Sequence, residues 1–189
     1  MRTNLQRRHA LLDAAIEVLA RDGARGLTFR AVDREASVPG GTASNYFANR
    51  DELLTQVVDR FYERLQPDEA IMAELGHGPR TRETITRLLT ETVDRVATFR
   101  SGFLALLELR LEATRRPRLQ AVLTERVRAD LSFNVRNHLD SGLPGDETSV
   151  RLLYLALNWL ILERLTLPEL FTDTHNHQLI AAAVDRTIG

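Results

Sequence analysis

The sequence predicts an all-α protein. Apolar residues recur at spacings of three and four, not two, and no run alternates as a half-buried strand does. Proline and glycine fall between the periodic stretches, at Gly23/Gly26, Pro39-Gly40-Gly41, Pro67, Gly76/Gly78/Pro79, Gly102, Pro117, Gly142/Pro144/Gly145 and Pro168. About nine helices result.

Taken in order, the first helix is expected over 4–21, with Leu12, Ala15, Ile16 and Leu19 as its apolar stripe. Two short helices follow, 28–35 and 40–46, joined by the turn Ala36-Ser37-Val38. The next, 50–66, carries Leu53, Leu54, Val57, Val58 and Phe61. A short helical turn is expected at 68–75. Longer helices are expected at 80–99, 101–115 and 118–140, the last with Leu119, Val122, Leu123 and Val127. Helices 146–166 and 173–187 complete the chain. Thr28 and Asp146 stand where N-caps belong, and Pro117 and Pro168 close the helices before them.

The 189 residues are 43% hydrophobic and 27% charged, a globular composition with ample length for a core. Without cysteine, disulfides and cysteine-ligated zinc are excluded. A net charge of −1 excludes a chain that coats nucleic acid along its whole length. The charge is uneven, however: residues 1–50 carry +3 and residues 51–189 carry −4. That suits a nucleic-acid-binding head on a body with another task, although so small an excess also arises by chance. All 25 basic residues are arginine, so every cation can make forked contacts to phosphate or guanine. The longest uncharged stretch, Leu152 to Leu162, is shorter than the roughly 20 residues a membrane helix needs. No signal-peptide pattern follows the N-terminus, and a cytoplasmic, soluble chain is expected.

Residues 28–47 read TFRAVDREASVPGGTASNYF. Val32, Ala36, Val38, Ala43 and Phe47 let two short helices close on each other. The outer side of the second helix is then Gly40, Thr42, Ser44, Asn45 and Tyr46, which are short, uncharged and able to hydrogen-bond. Such a helix can enter a DNA major groove and read base edges. A plain helical hairpin with a polar face would look similar.

Arg8 through Leu54 resembles the DNA-binding region of TetR-type transcriptional repressors. The matching elements are Leu11-Leu12-Asp13-Ala14-Ala15, Asp22-Gly23, Leu27-Thr28, Ala36-Ser37-Val38, Gly41-Thr42, Tyr46-Phe47 and Asn49-Arg50-Asp51-Glu52-Leu53-Leu54. The stretch Leu106 to Pro117 is similar, more distantly, to body domains of that family. The resemblance implies a helix-turn-helix domain over 1–50, a connecting helix 50–66, and a ligand-binding and dimerisation body over 67–189. It implies that Thr28 caps the motif and meets phosphate, and that Arg30 projects to the groove. It further implies that Gly40, Thr42, Ser44 and Asn45 lie on the recognition helix and that Tyr46 and Arg50 touch phosphate. Three departures from the family pattern matter. Ser37 stands where glycine is common, at a cost of about 1 kcal/mol if the backbone is left-handed. Ser44 replaces a common tyrosine. Gly40 and Gly41 leave the start of the recognition helix nearly bare, which shifts readout toward Arg30.

In the body, residues 152–162 are apolar on nearly every face, which demands a partner chain or a central position. The resemblance favours a dimer through the last two helices, with Leu152, Leu155, Trp159, Leu162, Leu179 and Ala183 at the interface. Polar residues on apolar faces suggest a small-molecule cavity lined by Phe99, Phe103, Leu107, Arg110, Asp130, Phe133, Asn134 and Trp159. Alternatively, Arg110 and Asp130 simply pair with each other or with neighbours.

The run Asp173-Thr174-His175-Asn176-His177 reads as a helix start rather than a metal site, because histidines two apart do not share a helix face. No metal or other cofactor is expected, and no nucleophile–base pair or phosphate-cradling glycine loop suggests an enzyme. The sequence therefore points to a homodimeric, ligand-responsive DNA-binding repressor of inverted-repeat operators, with no membrane partner. A helical scaffold protein with a vestigial helix-turn-helix is the alternative.

Overall fold

The computed structural model describes residues 2–65 and 79–188. The helical turn expected at 68–75 lies outside them. Every regular element among the described residues is an α-helix: α1 (Arg2–Gly26), α2 (Phe29–Glu35), α3 (Thr42–Tyr46), α4 (Arg50–Leu65), α5 (Arg82–Thr98), α6 (Arg100–Ala113), α7 (Pro117–Ser141), α8 (Glu147–Thr166) and α9 (Asp173–Thr187). The expected helices are present with ends shifted by a few residues, which is the normal uncertainty of helix termini. α1 is broken near its end by Gly23, whose φ of 69° lies in the left-handed region, so the regular helix stops where the expected one does.

The chain forms two compact units, and they cut the sequence differently from a division at residues 50 and 67. One gathers residues 1–66 with 100–127; the other gathers 67–99 with 128–189. In the first, α1 is the central element and packs against α2, α4 and α6. Its stripe of Leu11, Leu12, Ala15, Ile16, Val18 and Leu19 is sealed from solvent, together with Leu53, Leu54, Val57, Val58 and Phe61 of α4. α6 adds Ala105, Leu106 and Leu109, and Phe61 meets Phe103 edge-on with centroids 5.4 Å apart. Burial of this apolar surface is the main source of stability.

In the second unit α5, α8 and α9 pack together around Ile85, Leu153, Val184 and Ile188. Asp146 caps α8, as the sequence predicts, by accepting from the Ser149 N–H at 2.8 Å. That bond holds the Asp146 carboxyl below its ordinary range. Thr172, one residue ahead of the expected start, caps α9 through His175 N–H. His175 and His177 are both exposed.

Helix α8 exposes much of its apolar surface. Val150, Leu153, Ile161 and Leu165 face the core, but Leu155 and Trp159 are 65% and 63% exposed and Leu152 is 50% exposed. No helix among the described residues is long and apolar enough to cross a membrane.

Candidate nucleic-acid interface

The helix-turn-helix is built by α2 and α3. Thr28 starts it: its backbone is extended and its Oγ1 accepts from the Ala31 N–H at 3.1 Å, satisfying a donor at the helix start. α2 ends in a Schellman motif. Val38 N–H reaches Asp33 O at 3.0 Å and Ser37 N–H reaches Arg34 O at 3.2 Å. The motif needs a left-handed residue after the C-cap, and Ser37 supplies it with φ 53°. The left-handed backbone on which the expected cost at Ser37 depends is therefore present, and a serine carries a conformation that suits glycine.

The start of α3 is not bare. Its N-cap, Gly41, has φ 91° and contributes no side-chain cap. The cap comes instead from α2. Asp33, only 3% exposed, accepts from Gly41 N–H and from Ala43 N–H, both at 2.7 Å. A buried carboxylate thus neutralises two orphan donors and sits at the positive end of α3. Asp33 is a functional residue that the sequence reading missed. The signal was present: Asp33 shares a face with Ala36, and a charge on an apolar face must be engaged.

With α3 anchored from behind, its outer face is open. Gly40, Ser44 and Asn45 are exposed, and Thr42 and Tyr46 are partly buried. The two hydroxyls turn back on their own backbone, Thr42 Oγ1 donating to Pro39 O at 2.6 Å and Ser44 Oγ to Gly41 O at 2.8 Å. They are therefore weaker donors toward an outside partner than free hydroxyls. Gly40 has no positive φ, and a Cβ there would meet nothing within 4 Å. Folding does not require glycine at that position, but close approach by another backbone would. On α2, Arg30 is exposed and joins no ion pair among the described residues. Arg34, one turn further on, is equally free and was not anticipated.

Arg50 differs from expectation. Its guanidinium does not stand free for phosphate: Nη2 donates to Ala24 O, and Nε is buried without a partner among the described residues. Arg50 also lies near Glu112, whose carboxyl is held below its ordinary range, chiefly by its bond to Arg116 at 2.9 Å. The N–H of the same residue is taken by Glu108 of α6, whose Oε2 accepts from Ala24 N–H at 2.9 Å. So α4 and α6 grip the backbone of one residue, Ala24, ahead of Thr28. Arg8 makes a parallel clasp, stacking 5.2 Å over the Phe47 ring and donating to Gln56 at 2.8 Å. These contacts fix α3 and α4 relative to α1.

The cavity residues fare unevenly. Phe99, Phe103 and Leu107 are partly buried. Arg110, expected on an apolar face, is instead exposed. The buried stripe of α6 runs through Gly102, Ala105, Leu106, Leu109 and Ala113, and residue 110 falls beside it. Asn134 is exposed, with its Nδ2 donating to Asp130 O, and Phe133 is 43% exposed. Asp130 does not pair with Arg110. It accepts from Tyr154 Oη at 3.0 Å, and burial pushes its carboxyl above the ordinary range despite that bond. Trp159 is exposed on α8, as are Leu152, Leu155 and, on α9, Leu179. Leu162 and Ala183 are partly buried.

Comparison with known proteins gives matches at both ends of the chain. Residues 11–57 match the family of bacterial regulatory proteins of tetR type, and residues 80–189 match a tetracyclin repressor-like C-terminal domain. The HTH-type transcriptional regulator BetI of Agrobacterium fabrum is 30% identical over 76 residues, 40% of this chain and 37% of that protein. A regulator encoded in the dhlA 5' region of Xanthobacter autotrophicus is 32% identical over 81 residues, 43% of this chain and 40% of its own length. The match thus spans less than half the length of these curated relatives. Among solved structures, a TetR-family regulator from Rhodococcus sp. superposes with a TM-score of 0.75 at 21% identity, covering 97% of this chain and all of that one. One from Mesorhizobium loti gives 0.77 at 14% identity, covering 97% and 95%. At those identities the likeness establishes the fold. A match over the helix-turn-helix region at residues 11–57 and a C-terminal domain match covering more than half the chain lead to one conclusion: the chain belongs to the TetR family of bacterial regulatory proteins.

Proposed function

We propose that this protein is a cytoplasmic, ligand-responsive transcriptional repressor that binds an inverted-repeat operator as a homodimer and has no enzymatic activity. Residues 1–50 bind DNA, and the body over 67–189 dimerises and takes a small-molecule effector. The observation that carries this reading is the Asp33 cap. It anchors α3 from the protein side and leaves Gly40, Ser44 and Asn45 facing outward without charge.

Asn45 has the amide geometry that reads adenine, and the free Arg30 has the fork that reads guanine. Thr28, Tyr46 and Arg34 meet phosphate, and Gly40 allows the backbone to come close. Arg50 is a positioning residue, since its guanidinium is committed to Ala24. The exposed Leu152, Leu155, Trp159 and Leu179 form the self-complementary patch of a two-fold dimer. Effector binding shifts the population toward a dimer geometry whose recognition helices no longer match successive grooves.

Selection of full-length protein against random duplexes tests this reading. An inverted repeat should emerge, and Arg30→Ala should relax preference at one position per half-site at a cost of roughly 1–3 kcal/mol. If no palindrome emerges and residual binding is indifferent to salt, the scaffold reading takes its place.

A further inference from the structure

The second unit contains a cation with no ion pair among the described residues. Arg95 lies near the end of α5, between the buried residues Val93 and Val96. Its Nη1 is sealed from solvent and has no hydrogen-bond partner among the described residues. No ion pair to Arg95 exists among the described residues, although carboxylates are near it in sequence. Glu91, one turn back, is engaged by Arg87 at 2.9 Å. Asp94, adjacent in sequence, is engaged by Arg164 at 2.6 Å, with His177 Nε2 at 3.8 Å. Asp130 is held by Tyr154, and burial with no compensating cation raises its carboxyl, which a guanidinium beside it would oppose.

Two other buried polar side chains of this unit, those of Thr84 and Ser149, are satisfied within the chain. Thr84 Oγ1 donates to Pro79 O at 2.6 Å, and Ser149 Oγ donates to Thr187 O at 2.7 Å. A sealed guanidinium nitrogen without an acceptor is therefore out of keeping with its surroundings, because such groups are costly to bury unpaired. What it lacks is an acceptor with negative charge. The planar fork suits a two-oxygen anion.

We infer that Arg95 anchors the effector, and that the effector is a small oxyanion with a carboxylate or phosphate head. The inference rests on the effector-responsive reading above and supplies its ligand class. It also moves the anionic anchor from the exposed Arg110 to a residue the sequence did not single out.

The test uses the full chain with octanoate and octyl phosphate as probes and octanamide as the neutral control. Thermal melting and titration of the selected operator are the readouts. One of the two anions should raise the wild-type melting temperature where octanamide does not, and should weaken operator binding at least tenfold; which one does so identifies the head group. Arg95→Met should melt no lower than wild type without ligand, bind operator equally well, and respond to the anion at least tenfold more weakly. The inference is overturned if Arg95→Met melts lower without ligand, since the guanidinium would then be satisfied by the protein itself. It is also overturned if octanamide matches the anions or neither anion acts. Operator binding without an anion response defeats this inference alone; an Arg95-dependent anion response without any operator binding defeats the repressor reading.

Discussion

Replacing Asp33 by alanine should uncouple the recognition helix from its support. The substitution removes two charge-assisted hydrogen bonds of 2.7 Å. Each such bond contributes about 1.5–3 kcal/mol, but the two losses are not equal. Gly41 is exposed, so water can replace the acceptor at its N–H, whereas Ala43 is fully buried and its N–H would be stranded at about 1–3 kcal/mol. Loss of a negative charge at the helix start adds up to about 2 kcal/mol in a buried setting. Allowing for overlap between these terms, the turn and α3 should lose roughly 2–4 kcal/mol.

With five residues, α3 is far below the length at which a helix holds itself together, so the loss should appear as local unfolding. In a two-fold dimer the helix must be re-formed in both protomers on binding. At about 2 kcal/mol each, operator affinity falls roughly a thousandfold. Amide exchange at Ala43 and operator titration read the two consequences, and Asp33→Asn should fall between alanine and wild type because it keeps one acceptor. If Asp33→Ala leaves Ala43 protection unchanged and operator affinity within twofold, the cap does not organise the recognition helix and the reasoning fails.

Other substitutions test separate parts of the structure. Ser37 sits at φ 53°, so Ser37→Val should lower stability by about 1–2 kcal/mol in a denaturant melt, while Ser37→Gly should be neutral or slightly stabilising. Asp130 has a raised folded pKa, so the native state holds its proton more tightly than the unfolded chain. Its effect on stability is thus absent below the unfolded value, about 3.9, and grows unfavourable as pH rises through the folded value. Asp130→Asn should therefore melt higher than wild type at pH 7 and no higher below about pH 4; a lower melt at pH 7 would show that the carboxylate is favourably held. Leu155→Glu with Trp159→Glu places charges on the exposed face of α8 and should yield monomers by light scattering at micromolar concentration without loss of helicity.

The sequence carried the helical pattern well because the apolar stripes of α1, α4 and α7 are continuous and proline or glycine ends most runs. Caps at Thr28 and Asp146 were legible because they depend on neighbours three residues away. Contacts between elements were not. The Asp33 cap joins residues eight and ten apart across a turn, and the grip of Arg50 and Glu108 on Ala24 spans 26 and 84 residues. Periodicity states how apolar a helix face is but not what covers it. Arg110 is therefore expected on the apolar face, whereas it falls beside the buried stripe of α6 and is exposed. For the same reason, the all-round apolar α8 could not be divided by pattern alone into a core side and the exposed Leu155 and Trp159.

The most direct test of the account is a footprint of the dimer on its selected operator, with interference by methylation of guanine N7 in the major groove. Two protected half-sites related by a dyad should appear, their centres one helical turn of about 34 Å or a multiple apart. Interference should fall within each half-site, where α3 and Arg30 enter the groove. A single protected patch without a dyad, or binding indifferent to N7 methylation, would contradict the claim that a capped α3 reads DNA as one half of a symmetric pair.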